Sequence, residues 1–159
     1  MIETIRERFL NEYQSHPQLY HEIDVNRVRE DNWQIERFID SDCNEDTAYN
    51  SLIKAMKWKK SFGVHERSDR YFPKEMFELN KSDIYGRDRE GRVICWASGK
   101  YNYRFPENQD LFFKFTVNLM EKLDTKASKD GYIMVLDTCG MGLANVYLYM
   151  TKLLTQILI

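Results

Sequence analysis

Apolar residues recur every three or four positions through the first sixty residues and switch to consecutive apolar runs only beyond residue 90. Ile2, Ile5, Phe9 and Tyr13 mark a helix over residues 2–14. Ser15-His16-Pro17 ends it, because proline disfavours helix in the residue before it. Val25, Val28, Ile35 and Phe38 predict a second helical tract over residues 24–39. A third spans residues 45–62, with Ala48, Leu52, Ala55 and Met56 as its apolar stripe and Trp58-Lys59 at the edge. Glu45 and Asp46 at its start and lysines toward its end suit the helix dipole, and Gly63 is a natural C-cap. A short helix is expected from Pro73 to Leu79.

Then the period changes. Residues 92–98 read as a strand and residues 102–108 as a loop around Pro106. The helix over 110–123 carries Phe112, Phe115, Leu119 and Leu123 on one face and Phe113, Val117 and Met120 on another, which predicts burial from two sides. Residues 132–136 form a continuous apolar run, the mark of a buried parallel strand. Strand, helix and strand in this order make a βαβ crossover. A last helix over 143–159 has only Thr151, Lys152, Thr155 and Gln156 as a narrow polar stripe. The expected fold class is therefore α/β, with an N-terminal helical bundle over residues 1–72 and a partial α/β layer over 73–159. The apolar ending at Ile159 falls where such a sheet should continue, so the chain is expected to be incomplete as given. Val146, Leu148, Leu153, Leu154 and Ile157 would then leave an apolar patch that seeks a membrane or a partner.

Composition narrows the classes. A chain of 159 residues with 43% hydrophobic content can bury a core as one domain, or as a helical cap joined to part of another. A net charge of −2 argues against nucleic acid as the main partner. The local basic cluster of Lys54, Lys57, Lys59 and Lys60 around Trp58 reads as the solvated end of a helix. Cys43, Cys95 and Cys139 are odd in number and lack CxxC spacing, which suits a reducing compartment. The N-terminus is too charged for a signal peptide, and no apolar run approaches the ~20 residues that span a bilayer. The Asn80-Lys81-Ser82 sequon would then go unused, and the chain reads as cytoplasmic.

Candidate chemistry is sparse. Residues 86–92, Gly-Arg-Asp-Arg-Glu-Gly-Arg, have the glycine spacing of a phosphate-binding loop. They lack its Lys-Ser/Thr ending, precede a strand and carry Asp88 and Glu90, so a solvated hairpin-type turn is expected. Asp137 at the end of an apolar strand could serve a small hydrolase, but Thr138, Cys139 and Gly140 follow it without a second acid; capping of local N–H groups is the plainer role. Cys139 has no base nearby in sequence, and His16, His21 and His65 all fall in the helical part without metal-ligand spacing. The sequence predicts no enzyme, no cofactor and no metal site.

Asp31-Asn32-Trp33 leading to Arg37-Phe38-Ile39 resembles the "DD-x-x-L-x-RFL" opening of the CRAL-TRIO lipid-binding family. Residues 56–63, Met-Lys-Trp-Lys-Lys-Ser-Phe-Gly, look like its "WRK-x-x-G" helix end, and residues 86–94 like its "G-x-D-x-x-GRPV" turn and first strand. Glu121 matches a recurrent acid, and residues 136–140 resemble "D-L-x-G". The match covers about residues 30 to 150. Asp31-Asn32-Trp33, Pro73-Lys74-Glu75 and Lys100-Tyr101 look most like a member of the family that tethers membranes to the endoplasmic reticulum. The resemblance implies a helical bundle before an α/β domain that holds one apolar lipid and acts at cytosolic membrane surfaces, peripheral to that reticulum. Trp96, Phe112, Phe115 and Met134 are the large apolar side chains such a lipid pocket needs. The chain departs from the family at Asp40-Ser41-Asp42-Cys43-Asn44, where basic residues are usual. It also lacks the family's "YPE" turn, later strand and gate helix, so headgroup residues are not carried over. The implied partners are a hydrophobic lipid and a membrane surface, with the oligomeric state open. The competing expectations are a truncated isoform or gene fragment acting only as an interaction module, and the hydrolase using Asp137.

Overall fold

The computed structural model describes residues 1–39, 44–79, 82–101, 106–127, 129, 131–142 and 145. Cys43, Asn80-Lys81 of the sequon, most of the 102–108 loop and nearly all of the 143–159 helix lie outside them. The chain divides into two compact units at Arg67/Ser68. The fold is mixed α/β with an N-terminal helical part.

The first unit is helical. Helix α1 (Ile2–Ser15) buries Ile5 and Phe9 on one stripe and stops before Pro17, which begins a 3-10 turn. Helix α2 (Glu22–Glu30) starts at His21, whose Nδ1 accepts the Ile23 N–H at 3.2 Å. The single tract expected over 24–39 is broken. Asp31 is extended, and its carboxylate accepts the Trp33 N–H at 2.9 Å, which starts the separate one-turn helix α3 (Trp33–Glu36). Helix α4 (Glu45–Phe62) begins at Asn44, whose Oδ1 accepts the Thr47 N–H at 2.8 Å, and ends at Gly63 with φ of 70°. That left-handed conformation is open to glycine at little steric penalty. Ile5, Phe9, Tyr20, Val25, Val28, Ile35, Ala48, Leu52 and Met56 form one core, each larger member contributing about 1.5–3 kcal/mol of burial. Polar ties close its rim: Arg6 Nε donates to the Val28 carbonyl at 2.9 Å, and Lys57 pairs with Glu12 at 2.8 Å.

The second unit holds helix α5 (Lys74–Leu79), helix α6 (Gln109–Lys126) and a three-stranded sheet ordered β1 (Ser82–Arg87), β2 (Val93–Ser98), β3 (Tyr132–Asp137). Strands β1 and β2 are antiparallel, with a register shift between Ile84 and Arg87. Their connection is the hairpin turn expected of the double-glycine segment. Asp88 Oδ1 accepts the N–H groups of Glu90 and Arg92 at 2.9 and 2.8 Å, and its Oδ2 meets Arg92 Nε at 2.7 Å. The turn thus spends two of its own donors on an internal carboxylate. Strands β2 and β3 pair in parallel from Val93↔Tyr132 to Ser98↔Asp137, with α6 between them in sequence, a βαβ crossover. Helix α6 packs Leu123 and Met120 against Val93, Cys95, Ile84 and Tyr132. Its Phe115 joins Phe72 and Met76 in a second cluster. The two clusters follow one another along the helix and do not match the two expected faces, since Phe115 and Leu123 share one face and fall in different clusters.

Candidate functional site

Alternation along the strands fixes two faces of the sheet. Val93 and Cys95 turn toward α6. Ile94, Trp96 and Ser98 therefore turn the other way, beside their register partners Ile133, Val135 and Asp137. On β2 and β3 this second face is an apolar floor with polar groups at its carboxyl end, and β1 places Asp83 beside Trp96 on the same face. Trp96 at its centre is 45% exposed, and its Nε1 donates to the Tyr85 carbonyl at 3.2 Å, pinning the indole toward β1.

The four pocket candidates fall in three places. Phe112 and Phe115 lie together on α6, where Phe115 packs edge-on against Phe72 at 5.2 Å and Phe77 at 4.9 Å. Trp96 belongs to the floor on the opposite face. Met134 is level with Cys95 on the α6 side, yet 47% exposed, as is its neighbour Leu136 at 55%. Glu121, matched to a recurrent acid, sits inside α6.

A cleft of about 260 Å³ opens beside the Phe115 cluster, lined by Phe77, Ile84, Phe115 and Leu119 and by Asp69, Asn118, Lys122 and Lys126. Lys122 and Asn118 both donate to Asp69 Oδ1. The Lys122 bond outweighs partial burial and holds the Asp69 carboxyl below its ordinary value. The volume falls short of the ~300–1,000 Å³ of sites that enclose a drug-sized ligand, so this cleft alone does not engulf a two-chain lipid.

The carboxyl end of the parallel strands, the usual ligand position in open α/β sheets, is built around Asn145. Its Nδ2 donates to the Lys100 carbonyl at 2.8 Å and its Oδ1 accepts the Gly142 N–H at 2.9 Å, stapling the loops that follow β2 and β3. Asp137 Oδ1 accepts the Cys139 N–H at 2.9 Å, a local turn bond. Among the described residues no trio of His, Cys, Asp or Glu ligands gathers around Asp137. Cys95 is buried, which pushes its thiol up, with the Asp83 charge adding to the effect. Ser98 Oγ is buried without a hydrogen-bond partner among the described residues.

Sequence reasoning missed a buried carboxylate and its partners in the helical unit. Asp24, 1% exposed, receives His65 Nε2 at 2.9 Å and Lys59 Nζ at 3.4 Å. Burial pushes the Asp24 carboxyl up, but the His65 bond and the Lys59 and Arg27 charges prevail and hold it below its ordinary value. Among the described residues no helix is long and apolar enough to cross a membrane. No protein-family model matches the chain, and no solved structure matches it.

Proposed function

We propose that the chain is a lipid-binding and lipid-transfer module of the CRAL-TRIO type, working at cytosolic membrane surfaces and peripheral to the endoplasmic reticulum. The observation that carries this reading is the floor of Ile94, Trp96, Ile133 and Val135 on the sheet face turned from α6. Parallel strands ordinarily have both faces covered, and a half-exposed tryptophan in the middle of such a face suits an apolar ligand laid across it. The buried Ser98 hydroxyl on the same face supplies a polar anchor at the floor's carboxyl end.

The work of such a module is desolvation. Each buried methylene gains about 0.8 kcal/mol, so a two-chain lipid can recover on the order of 20 kcal/mol when it leaves the bilayer for the protein. No bond is made or broken, and Asp137 keeps a turn-capping role.

Native mass spectrometry of the purified chain is expected to show a co-purifying lipid, and Trp96→Glu to lose it while the far-ultraviolet circular dichroism is unchanged. Retention of lipid by Trp96→Glu would remove the floor from the reading. Turnover of phosphate esters that Asp137→Asn abolishes would replace it with the hydrolase.

A further inference from the structure

Helix α4 closes on an aromatic stack that the core does not use. Trp58 and Phe62, one turn apart, lie nearly parallel, their ring centroids 5.0 Å apart at 15°. The Arg67 guanidinium stands 4.7 Å from the Phe62 ring centre and also donates to the Phe62 carbonyl. The buried stripe of α4 is Ala48, Leu52 and Met56. Trp58 follows Met56 by two positions and so lies on the far side of the helix, 37% exposed.

The lysines around this stack differ in what they hold. Lys57 pairs with Glu12 at 2.8 Å, Lys59 with Asp24 at 3.4 Å and Lys60 with Glu66 at 3.7 Å. Lys54, one turn before Trp58 and exposed, has no ion partner among the described residues. A nucleic-acid surface would need most of these cations to face phosphates, and three of them are already engaged. A large planar aromatic on a convex helical surface, backed by a second ring and flanked by a free lysine, matches the interfacial layer of a bilayer, where tryptophan sits among headgroups.

We propose that Trp58, Phe62 and Lys54 form the place where this chain rests on an anionic bilayer, the two rings entering the headgroup layer and Lys54 meeting lipid phosphates. Arg67 holds Phe62 in line for that contact, so the stack is ordered before it meets the lipid. The proposal rests on the membrane-surface part of the function above and adds the surface to it.

The test uses the full chain with Trp33→Phe and Trp96→Phe, which leaves Trp58 as the sole tryptophan. Phosphatidylcholine vesicles with and without phosphatidylserine are the probes. Trp58 emission should shift to shorter wavelength and be quenched by brominated lipid when phosphatidylserine is present. In cosedimentation, Lys54→Ala should bind about fivefold more weakly, the effect of losing one cation from an anionic surface. Trp58→Ala should lose more than Trp58→Phe, with unchanged melting temperature showing that each variant folds. Four results overturn the proposal: vesicles that bind while Trp58 emission stays unmoved, equal shifts on neutral vesicles, no vesicle binding at all, or a shift produced only by an oligonucleotide. Native mass spectrometry on the chain with Trp96 intact separates the two readings. Retained lipid with a silent Trp58 sinks the surface alone; a responsive Trp58 without lipid sinks the pocket and keeps the surface.

Discussion

A carboxylate that is 1% exposed persists in a fold only where partners replace its water, and Asp24 has two within 3.4 Å. Its folded value lies below the ~3.9 of an unfolded Asp. The pair's contribution is therefore fully present above that unfolded value and is lost as pH falls through the lower folded one. Urea midpoints measured from pH 6 downward should decline below about pH 4, and Asp24→Asn should flatten that limb; an unchanged acid limb would refute the assignment. His65→Ala, which removes one hydrogen bond to the buried carboxylate while Lys59 stays beside it, should destabilise by about 1–3 kcal/mol. Nothing in the sequence announces this pair. Asp24 sits in the first turn of α2, where an acid favours the helix dipole anyway, and His65 lies far along the chain beyond α4. Periodicity reports which face a residue occupies and is silent on which distant residue meets it.

At the scale of elements, legibility followed the caps. Helix α4 was readable to its ends because Glu45 and Asp46 open it and Gly63 closes it, and the structure adds Asn44 as the cap. Gly63→Ala should lower stability by about 1–2 kcal/mol, since φ is 70° and the new methyl would stand 2.8 Å from Glu66 Oε2; thermal melts of the two proteins check it, and an equal midpoint would show that the cap relaxes freely. The tract over 24–39 has apolar spacing on both sides of the polar run Arg29-Glu30-Asp31-Asn32, and the Asp31 side chain offers its own turn there and splits it. Strand β1 left no trace in the hydropathy pattern. Ser82-Asp83-Ile84-Tyr85-Gly86-Arg87 has no alternation, and most of the strand is exposed, so its pairing with β2 is carried by the turn that Asp88 organises. The floor was half legible: alternation puts Ile94 and Trp96 on one face, but which face α6 covers depends on how the crossover packs. Hence Trp96 and Phe115 could be chosen from the sequence, and their separation could not.

For the molecule as a whole, the order of helical spacing first and consecutive apolar runs later was enough to read mixed α/β with a helical N-terminal part. The helical core is fully buried at Ile5, Phe9, Ile35 and Leu52. Leu52→Ala should cost about 2–5 kcal/mol, read as a lower urea midpoint at unchanged slope; a loss below 1 kcal/mol would mean that the cavity collapses. The sheet has a different vulnerability, one of time. Strand β2 bonds to β1 across a short turn and to β3 only after the whole of α6. A hairpin closes in about 1–10 μs. Roughly thirty residues must still leave the ribosome before β3 arrives, which at about 5–20 residues per second takes a few seconds. Throughout that interval the free edge of Val93–Ser98, with its run of valine, isoleucine, cysteine and tryptophan, is a ready template for any passing strand. The nascent chain is thus most at risk of aggregation between the emergence of β2 and that of β3, and a chaperone that shields this edge on the ribosome would raise the yield of folded protein more than one added after release.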